Sequence, residues 1–397
     1  MALPAVYRSV AALLVSVTFF VMGGGLLTTI IPLGGRAHGF SERELGAIGS
    51  CYFAGMLIGA LINPLAVRHS GHARAFVGSI AISVIATLIL PVFQSPIAWM
   101  MSRGLIGFAF AGLYATVEGW LQGKADNKTR GSVLALYSVT QYGGWAIGNQ
   151  LVHLDEPTSF VLYSIAAAAL TAGILPLVVT TQEPPERPAT PKLPFLWLIR
   201  TAPIGVVSVF LIGAANGPFW SLVPVYAATL GYTPDQVAVF VTFITLGSAA
   251  LQIPIGRVSD RFDRRLVLIA LVLSAATIEM ALARFGGALP FWGLLATGFA
   301  LGTVLSTPYY VATAHTNDRA GRTQAVGVAA VLLFAYCVGA IIGPLTAAEG
   351  IRRFGPGALH VHNAIVHATI AAFVLYRTLV RAAPERRPET PQVRPPA

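Results

Sequence analysis

Charge is scarce in this chain. Asp, Glu, Lys and Arg together make up 11% of it, against about a quarter in an ordinary soluble domain. That deficit excludes a water-soluble globule. Lysine is rarer still, with only Lys124, Lys128 and Lys192 among 26 basic residues; the arginine bias fits a GC-rich, bacterial coding sequence. Cysteine is nearly absent. Cys51 and Cys337 both sit in apolar runs, so no disulfide framework is available. The chain also lacks H-E-x-x-H, Gly-x-Ser-x-Gly, a phosphate-cradling loop and any zinc spacing. We therefore expect no enzyme, no metal and no cofactor.

Apolar sequence fills the space that charge leaves. Hydrophobic residues account for 55% and the mean hydropathy is +0.71. The apolar residues form windows of about 20, the length that crosses a bilayer as a helix. In lipid every backbone group must be satisfied internally, which leaves helices or closed barrels. These runs are too long and too uniformly apolar for barrel strands. The class is an all-α polytopic membrane protein, with the lipid bilayer as its first partner. A net charge of +10 would point a soluble chain toward nucleic acid; here no nucleic-acid partner is expected, because the charges lie between apolar spans.

The pattern predicts twelve spans: 10–33, 44–66, 75–93, 97–119, 131–152, 158–180, 202–227, 235–257, 266–285, 289–313, 323–346 and 358–380. Between the sixth and seventh, TTQEPPERPATPK (180–192) is rich in proline and charge and reads as a flexible joint. The organisation is a six-helix bundle over 1–180, a linker over 181–200, a second six-helix bundle over 201–380, and a Pro/Arg/Glu-rich tail over 381–397 with no means of building a core. Placing the first residues in the cytoplasm puts all the basic residues inside except Arg36, Arg43, Arg103, Arg284, Arg352 and Arg353. Lys and Arg in short loops resist translocation, so both termini are expected in the cytoplasm of a cell (inner) membrane. Residues 10–26 also have the look of a secretory signal. Its removal would delete the partner of span 202–227 in the repeat described next.

GFSEREL (39–45) and GYTPDQV (231–237) are one phrase written twice, 192 residues apart. Gly25 and Pro32 match Gly217 and Pro224 at the same offset, Gly107-Phe108-Ala109 matches Gly298-Phe299-Ala300 at 191, and Gly148 matches Gly343 at 195. Ser41-x-x-Glu44 and Thr233-x-x-Gln236 are capping boxes that start the second span of each half. Six spans return the chain to its starting side, so the halves are parallel repeats with a solute site between them near the midplane.

These residues resemble the major facilitator superfamily, drug- or metabolite-efflux-like branch, along nearly the whole chain. GRVSDRFDRR (256–265) is similar to the family's G-x-x-x-D-R-x-x-R-R loop. RGLIGFAFAG (103–112) looks like its fourth-helix motif, and GAIIGP (339–344) like its Gly-x-x-x-Gly-Pro element. NPLAVRHSGHAR (63–74), the first-half counterpart of the loop, keeps Arg68, Gly71 and Arg74 but lacks the Asp. The resemblance implies solute transport by rocking of the halves, often coupled to protons. It also implies that Glu118 pairs with Arg68, Arg74 or Arg130 at an inner gate in the outward-facing state. Asp260, Arg261, Arg264, Arg265 and Arg322 would be the second half's gating charges.

Apart from Glu44 and Asp235, the first residues of their spans, acids within the spans occur only at Glu118 and Glu279, and such groups are costly unless paired or functional. Glu118 reads either as a gate residue or as a solvated helix-end acid. Glu279 and Arg284 read as an interfacial ion pair on a peripheral helix. Arg103, Gly107, Phe110, Tyr114 and Glu118 share one stripe of the fourth span; Arg103 reads as a contact for an anionic group or as a snorkelling anchor. Gln141, Tyr142 and Asn149 of the fifth span, Asn216 and Trp220 of the seventh, Gln252 of the eighth, and Thr307 and Tyr310 of the tenth are the other cavity candidates. Gly144-x-x-x-Gly148 and Gly339-x-x-x-Gly343 are expected at the interface of the halves. Pro32, Pro64, Pro224, Pro254, Pro308 and Pro344 are expected to kink helices. His360 and His367 share a face, which would suit a metal, but no acid or cysteine completes a site there, so His360, His362 and His367 read as structural or interfacial.

The leading expectation is a monomeric secondary transporter of a small amphipathic solute, working by alternating access, with proton-coupled efflux, uniport and exchange all open. The alternative is a solute-binding membrane receptor without net transport.

Overall fold

The computed structural model describes residues 5–124, 130–179, 194–321 and 324–380. Most of the linker, the 381–397 tail and Arg322 lie outside the described residues. Everything regular is helical: α1 (Ala5–Ala37), α2 (Glu42–Ser70), α3 (His72–Val92), α4 (Pro96–Lys124), α5 (Arg130–Gln150), α6 (Phe160–Ala172), α7 (Leu175–Val179), α8 (Phe195–Thr201), α9 (Pro203–Thr229), α10 (Pro234–Ala250), α11 (Gln252–Arg261), α12 (Arg264–Phe285), α13 (Phe291–Leu305), α14 (Thr307–Ala320), α15 (Ala325–Phe354) and α16 (Ala358–Val380). Several helices outrun the predicted spans, α15 by eight residues beyond 346. The backbone ladder continues past the apolar window into the interfacial zone, where water accepts the side chains.

Among the described residues, eleven helical segments are long and apolar enough to cross a membrane. The twelfth crossing is α5, which has the length but carries Tyr137, Ser138, Thr140, Gln141, Tyr142, Asn149 and Gln150. It is polar because it faces protein and cleft rather than lipid. Twelve crossings bring α1 and α16 to the same side, here the terminal face; the opposite side is the far face. Helix α8, at the terminal face before the seventh crossing, was not anticipated.

Two of the six prolines break their helices. Pro254 has no N–H for the carbonyl of Ala250, and α10 ends there; Pro308 withholds one from Val304, and α13 ends one residue on. Pro32, Pro64, Pro224 and Pro344 lie inside continuous helices. The eighth and tenth crossings are thus each two helices, α10–α11 and α13–α14, with their joints in mid-membrane.

The repeat reappears in three dimensions. Both capping boxes form: the Ser41 amide donates to Glu44 at 2.7 Å and the Thr233 amide to Gln236 at 3.1 Å. Gly148 meets the Met22 carbonyl of α1, and Gly343 meets the Ala214 carbonyl of α9; a Cβ would come within 2.1 and 2.2 Å of those oxygens. The Gly-x-x-x-Gly pairs therefore pack α5 on α1 and α15 on α9, inside each half, and not between the halves as expected. Close approach is needed where a helix must lie flush with its own bundle, whereas the halves have to separate.

Contact between the halves runs through α2–α15, α5–α10, α1–α9 and α2–α9. At the far face Arg43 bonds Glu349 at 2.8 Å, and His153 pairs with Asp235 at 2.9 Å. Ser50 donates to the Ile341 carbonyl at 2.7 Å, and Gln150 donates to the Thr242 hydroxyl at 2.5 Å and the Ala238 carbonyl at 3.3 Å. Gly46 and Gly49 of α2 seat against Pro344 and Ser221. Near the terminal face, among the described residues, α11 and α14 make no extended contact with the first half. Among those residues the far face is shut and the terminal face open.

Candidate functional site

The broken helices define the middle of the space between the halves. Gln252 begins α11 and Ser306 ends the bend before α14, so the joints present side chains inward. Tyr142 of α5 faces Ser306 and Tyr310 across the gap, and Tyr310 faces Gln252. Three predicted residues, Tyr142, Gln252 and Tyr310, thus converge from both halves.

Glu118 lies on the open side of that cluster. The Tyr137 hydroxyl stands 3.5 Å from its carboxylate. Its side chain is solvent-accessible, yet it acts electrostatically on Tyr114 in its own half and on Tyr309 and Tyr310 of the other. That combination describes a carboxylate on the wall of the cleft between the halves. Among the described residues no Arg, Lys or His forms an ion pair with it. Arg68 and Arg74 are exposed at the terminal face and do not pair with Glu118 in this open arrangement; only the backbone of Arg130 is described.

Arg103 occupies the shut end. It is 8% exposed, its guanidinium lies over the Tyr52 ring at 4.4 Å, and among the described residues no carboxylate pairs with it. It lines a small pocket with Thr28, Pro32, Gly49, Trp220 and Ser221. Burial rules out a snorkelling anchor, because the head group never reaches the interface. Trp220 lines the same pocket.

Aromatic rings form the walls. Phe20, Phe110 and Tyr114 meet edge to face at 5.7–6.0 Å, and Tyr309 stands between Tyr310 at 5.7 Å and Tyr336 at 5.6 Å. Phe53 joins Tyr336 across the halves at 6.3 Å. Tyr52, Phe53, Tyr137, Tyr309, Tyr336 and Gln150 escaped the sequence reading. Tyrosines among apolar residues leave no polar period in the sequence.

Other predicted residues lie elsewhere. Thr307 is buried and donates back to the Thr303 carbonyl at 2.9 Å, so it faces its own bundle and not the cleft. Asn149 is buried in the α1–α5 seam, accepting from Thr29 at 3.2 Å. Asn216 is buried on α9 within reach of the Tyr336 hydroxyl. Gln141 is half-buried on α5.

Arg264 and Arg265 of the 256–265 loop form ion pairs within the second half. Arg264 bridges Asp260 at 2.9 Å and Asp318 at 2.7 Å, tying α11 to the end of α14. Arg265 is buried and pairs with Asp263 at 2.7 Å, while Arg261 is exposed. The Arg265 guanidinium, hydrogen-bonded to Asp263, holds that carboxyl below its usual range.

The expected Glu279–Arg284 ion pair does not form. Glu279 is fully buried, meets His360 Nδ1, and accepts from Asn363 at 3.2 Å; Arg284 lies over the Phe285 ring instead. An acid does therefore complete the histidine group of α16, from 81 residues away. Among the described residues no set of three or more His, Cys, Asp or Glu is arranged to hold a metal.

The family model described as Major Facilitator Superfamily matches residues 13–204 and again 205–397. The chain is 25% identical over 378 residues to the MFS-type transporter YcaD of Escherichia fergusonii, covering 95% of this chain and 96% of that one. A variant of the nucleoside transporter NupG superposes with a TM-score of 0.77 at 12% identity, covering 92% of this chain and 99% of NupG. The D-xylose-proton symporter does so with a TM-score of 0.70 at 14% identity, covering 93% and 97%.

Proposed function

The chain belongs to the Major Facilitator Superfamily and is a multi-pass membrane transporter, and on that premise we propose that it exports a small amphipathic solute in exchange for protons, with Glu118 as the proton-exchanging group. The terminal face, where the basic residues concentrate, is then cytoplasmic, in a bacterial inner membrane, and the structure is the inward-facing state. Solute enters the open cleft, packs on the Tyr114, Tyr309, Tyr310 and Tyr336 rings, and meets polar groups at Tyr142 and Gln252. Arg103 and Tyr52 offer a contact for an acceptor atom at the closed end.

The observation that carries this reading is a carboxylate in the cleft with no cationic partner among the described residues. When the terminal face closes, Glu118 loses its water, and a buried unpaired carboxylate is costly. A proton, or Arg68, Arg74 or Arg130 drawn in by the closure, removes that cost. Proton binding thereby becomes coupled to the state of the gate, since a ligand shifts a conformational equilibrium by its differential affinity.

Proteoliposome flux of neutral, cationic and anionic fluorescent amphiphiles under an imposed pH gradient tests this. We expect gradient-driven flux of at least one probe class in the wild type, and loss of the gradient dependence in Glu118→Gln with solute exchange retained. Full gradient-driven flux in Glu118→Gln would remove the proton role. Saturable binding with no flux or exchange would favour a receptor.

A further inference from the structure

His153 belongs to the set of contacts that shuts the far face, and both of its ring nitrogens meet oxygens. It stands on a single 3₁₀ turn (Leu151–Leu154) that follows α5. Its Nδ1 lies 2.9 Å from Oδ1 of Asp235, in the first turn of α10 in the other half. Its Nε2 lies 3.0 Å from Oε1 of Gln150.

Both oxygens are acceptors. The Asp235 carboxylate has no proton to give, and it occupies a helix N-terminus, where the dipole favours negative charge. The Gln150 amide is oriented by its other contacts. Its Nε2 faces the Ala238 carbonyl at 3.3 Å, which can only accept, and the Thr242 hydroxyl at 2.5 Å. The oxygen is therefore the end turned to His153. A neutral imidazole has one N–H and satisfies one of the two acceptors; the imidazolium satisfies both. The bonds to Asp235, Ala238 and Thr242 all cross between the halves, so this surrounding exists only while the far face is shut.

The other elements touching this turn supply few charges. α10 brings Asp235 alone, and α5 brings the uncharged Gln150 amide. α1 and α6 carry Arg36 and Tyr163 toward this end. Just after the turn, Glu156 is exposed, and Asp155 is held by Ser159 at 2.6 Å and the Glu156 amide at 2.8 Å.

We propose that His153 is a proton-binding site of the far-face gate: the shut face binds a proton there, and opening releases it to the water on the same side. No proton crosses the membrane by this route, so the site is separate from Glu118. Alternation of the two faces, part of the transport reading above, is its premise; the proton role of Glu118 is not. Because the proton prefers the shut face, the shut population grows as pH falls and is lost as pH rises. The paired side chains are 39% and 59% exposed, and an ion pair so exposed shifts an equilibrium by about two- to fivefold.

Pulsed electron paramagnetic resonance on the full chain in liposomes reads that population. Spin labels at Ala37 and Phe354 are exposed in opposite halves at the far face, with Cys51 and Cys337 replaced. Glu118→Gln serves as the parent, which removes any titration of the cleft carboxylate. We expect the parent's shut-to-open ratio to rise about two- to fivefold as pH falls from about 8 to about 5, the range in which imidazole gains its charge. His153→Gln should abolish the dependence and Asp235→Asn should weaken it. A dependence that survives His153→Gln overturns the proposal. So does a ratio unmoved by pH in a parent that still shifts toward the open far face on Gln150→Ala. A single distance under every condition overturns the alternation itself, and the transport reading with it.

Discussion

Gln150 holds the far face shut, and its removal should be measurable as a shift between conformations. Its Nε2 donates to Thr242 at 2.5 Å and to the Ala238 carbonyl at 3.3 Å, and its Oε1 meets His153 at 3.0 Å. The first two bonds cross between the halves, so they exist only while the far face is closed. The shorter counts as one full hydrogen bond and the longer as a fraction, about 1–2 kcal/mol together. Gln150→Ala should therefore favour the open far face by about 5- to 30-fold. Thr242→Val removes the same bond from the other side, so the double variant should shift little further than Gln150→Ala alone. The assay is pulsed electron paramagnetic resonance between spin labels at Glu156 and Phe354, one in each half and both exposed, with Cys51 and Cys337 replaced. A distance distribution unchanged by Gln150→Ala, or fully additive effects of the two substitutions, would refute the reasoning.

Other expectations follow from packing and charge. Gly148→Leu places a side chain against the Met22 backbone and should destabilise the first half by about 1–3 kcal/mol, read as a lower Tm; Gly143→Ala, with nothing within 4 Å, should be neutral or slightly stabilising. Glu279→Ala leaves His360 and Asn363 buried without their partner and should cost about 3–5 kcal/mol, with Glu279→Gln costing less in the same thermal scans. Asp263 has a depressed pKa in the folded protein because Arg265 is bonded to it. Its contribution to stability is therefore complete above the ordinary carboxylate pKa of about 4 and is lost as pH falls through the depressed value. Asp263→Asn should flatten the acid limb of a Tm-against-pH profile, and an unchanged limb would count against the pair.

Membrane class, span number and the doubled plan were legible in the chain because each depends on local or additive properties. A 20-residue apolar window crosses a bilayer whatever its neighbours, and Ser41-x-x-Glu44 and Thr233-x-x-Gln236 close within a single turn. Glu118, Tyr142, Gln252 and Tyr310 were legible as polar groups that a membrane helix does not carry without reason. The walls of the cleft were not. A helix that is apolar all round gives no periodicity from which to orient it, so Tyr52, Tyr309 and Tyr336 looked no different from lipid-facing aromatics.

What the chain alone determined is therefore its crossing count, its internal duplication and the scarcity of charge that makes each buried ion informative. Tertiary structure decided which ions meet. Glu279 turned from Arg284, five residues along the chain, to His360, 81 residues away; Glu118 stood apart from Arg68 and Arg74, two of the arginines that sequence had offered it; and the Gly-x-x-x-Gly pairs went inside the halves. Pairing depends on how each helix is rotated and how deeply it sits, and those are set by packing against helices remote in sequence.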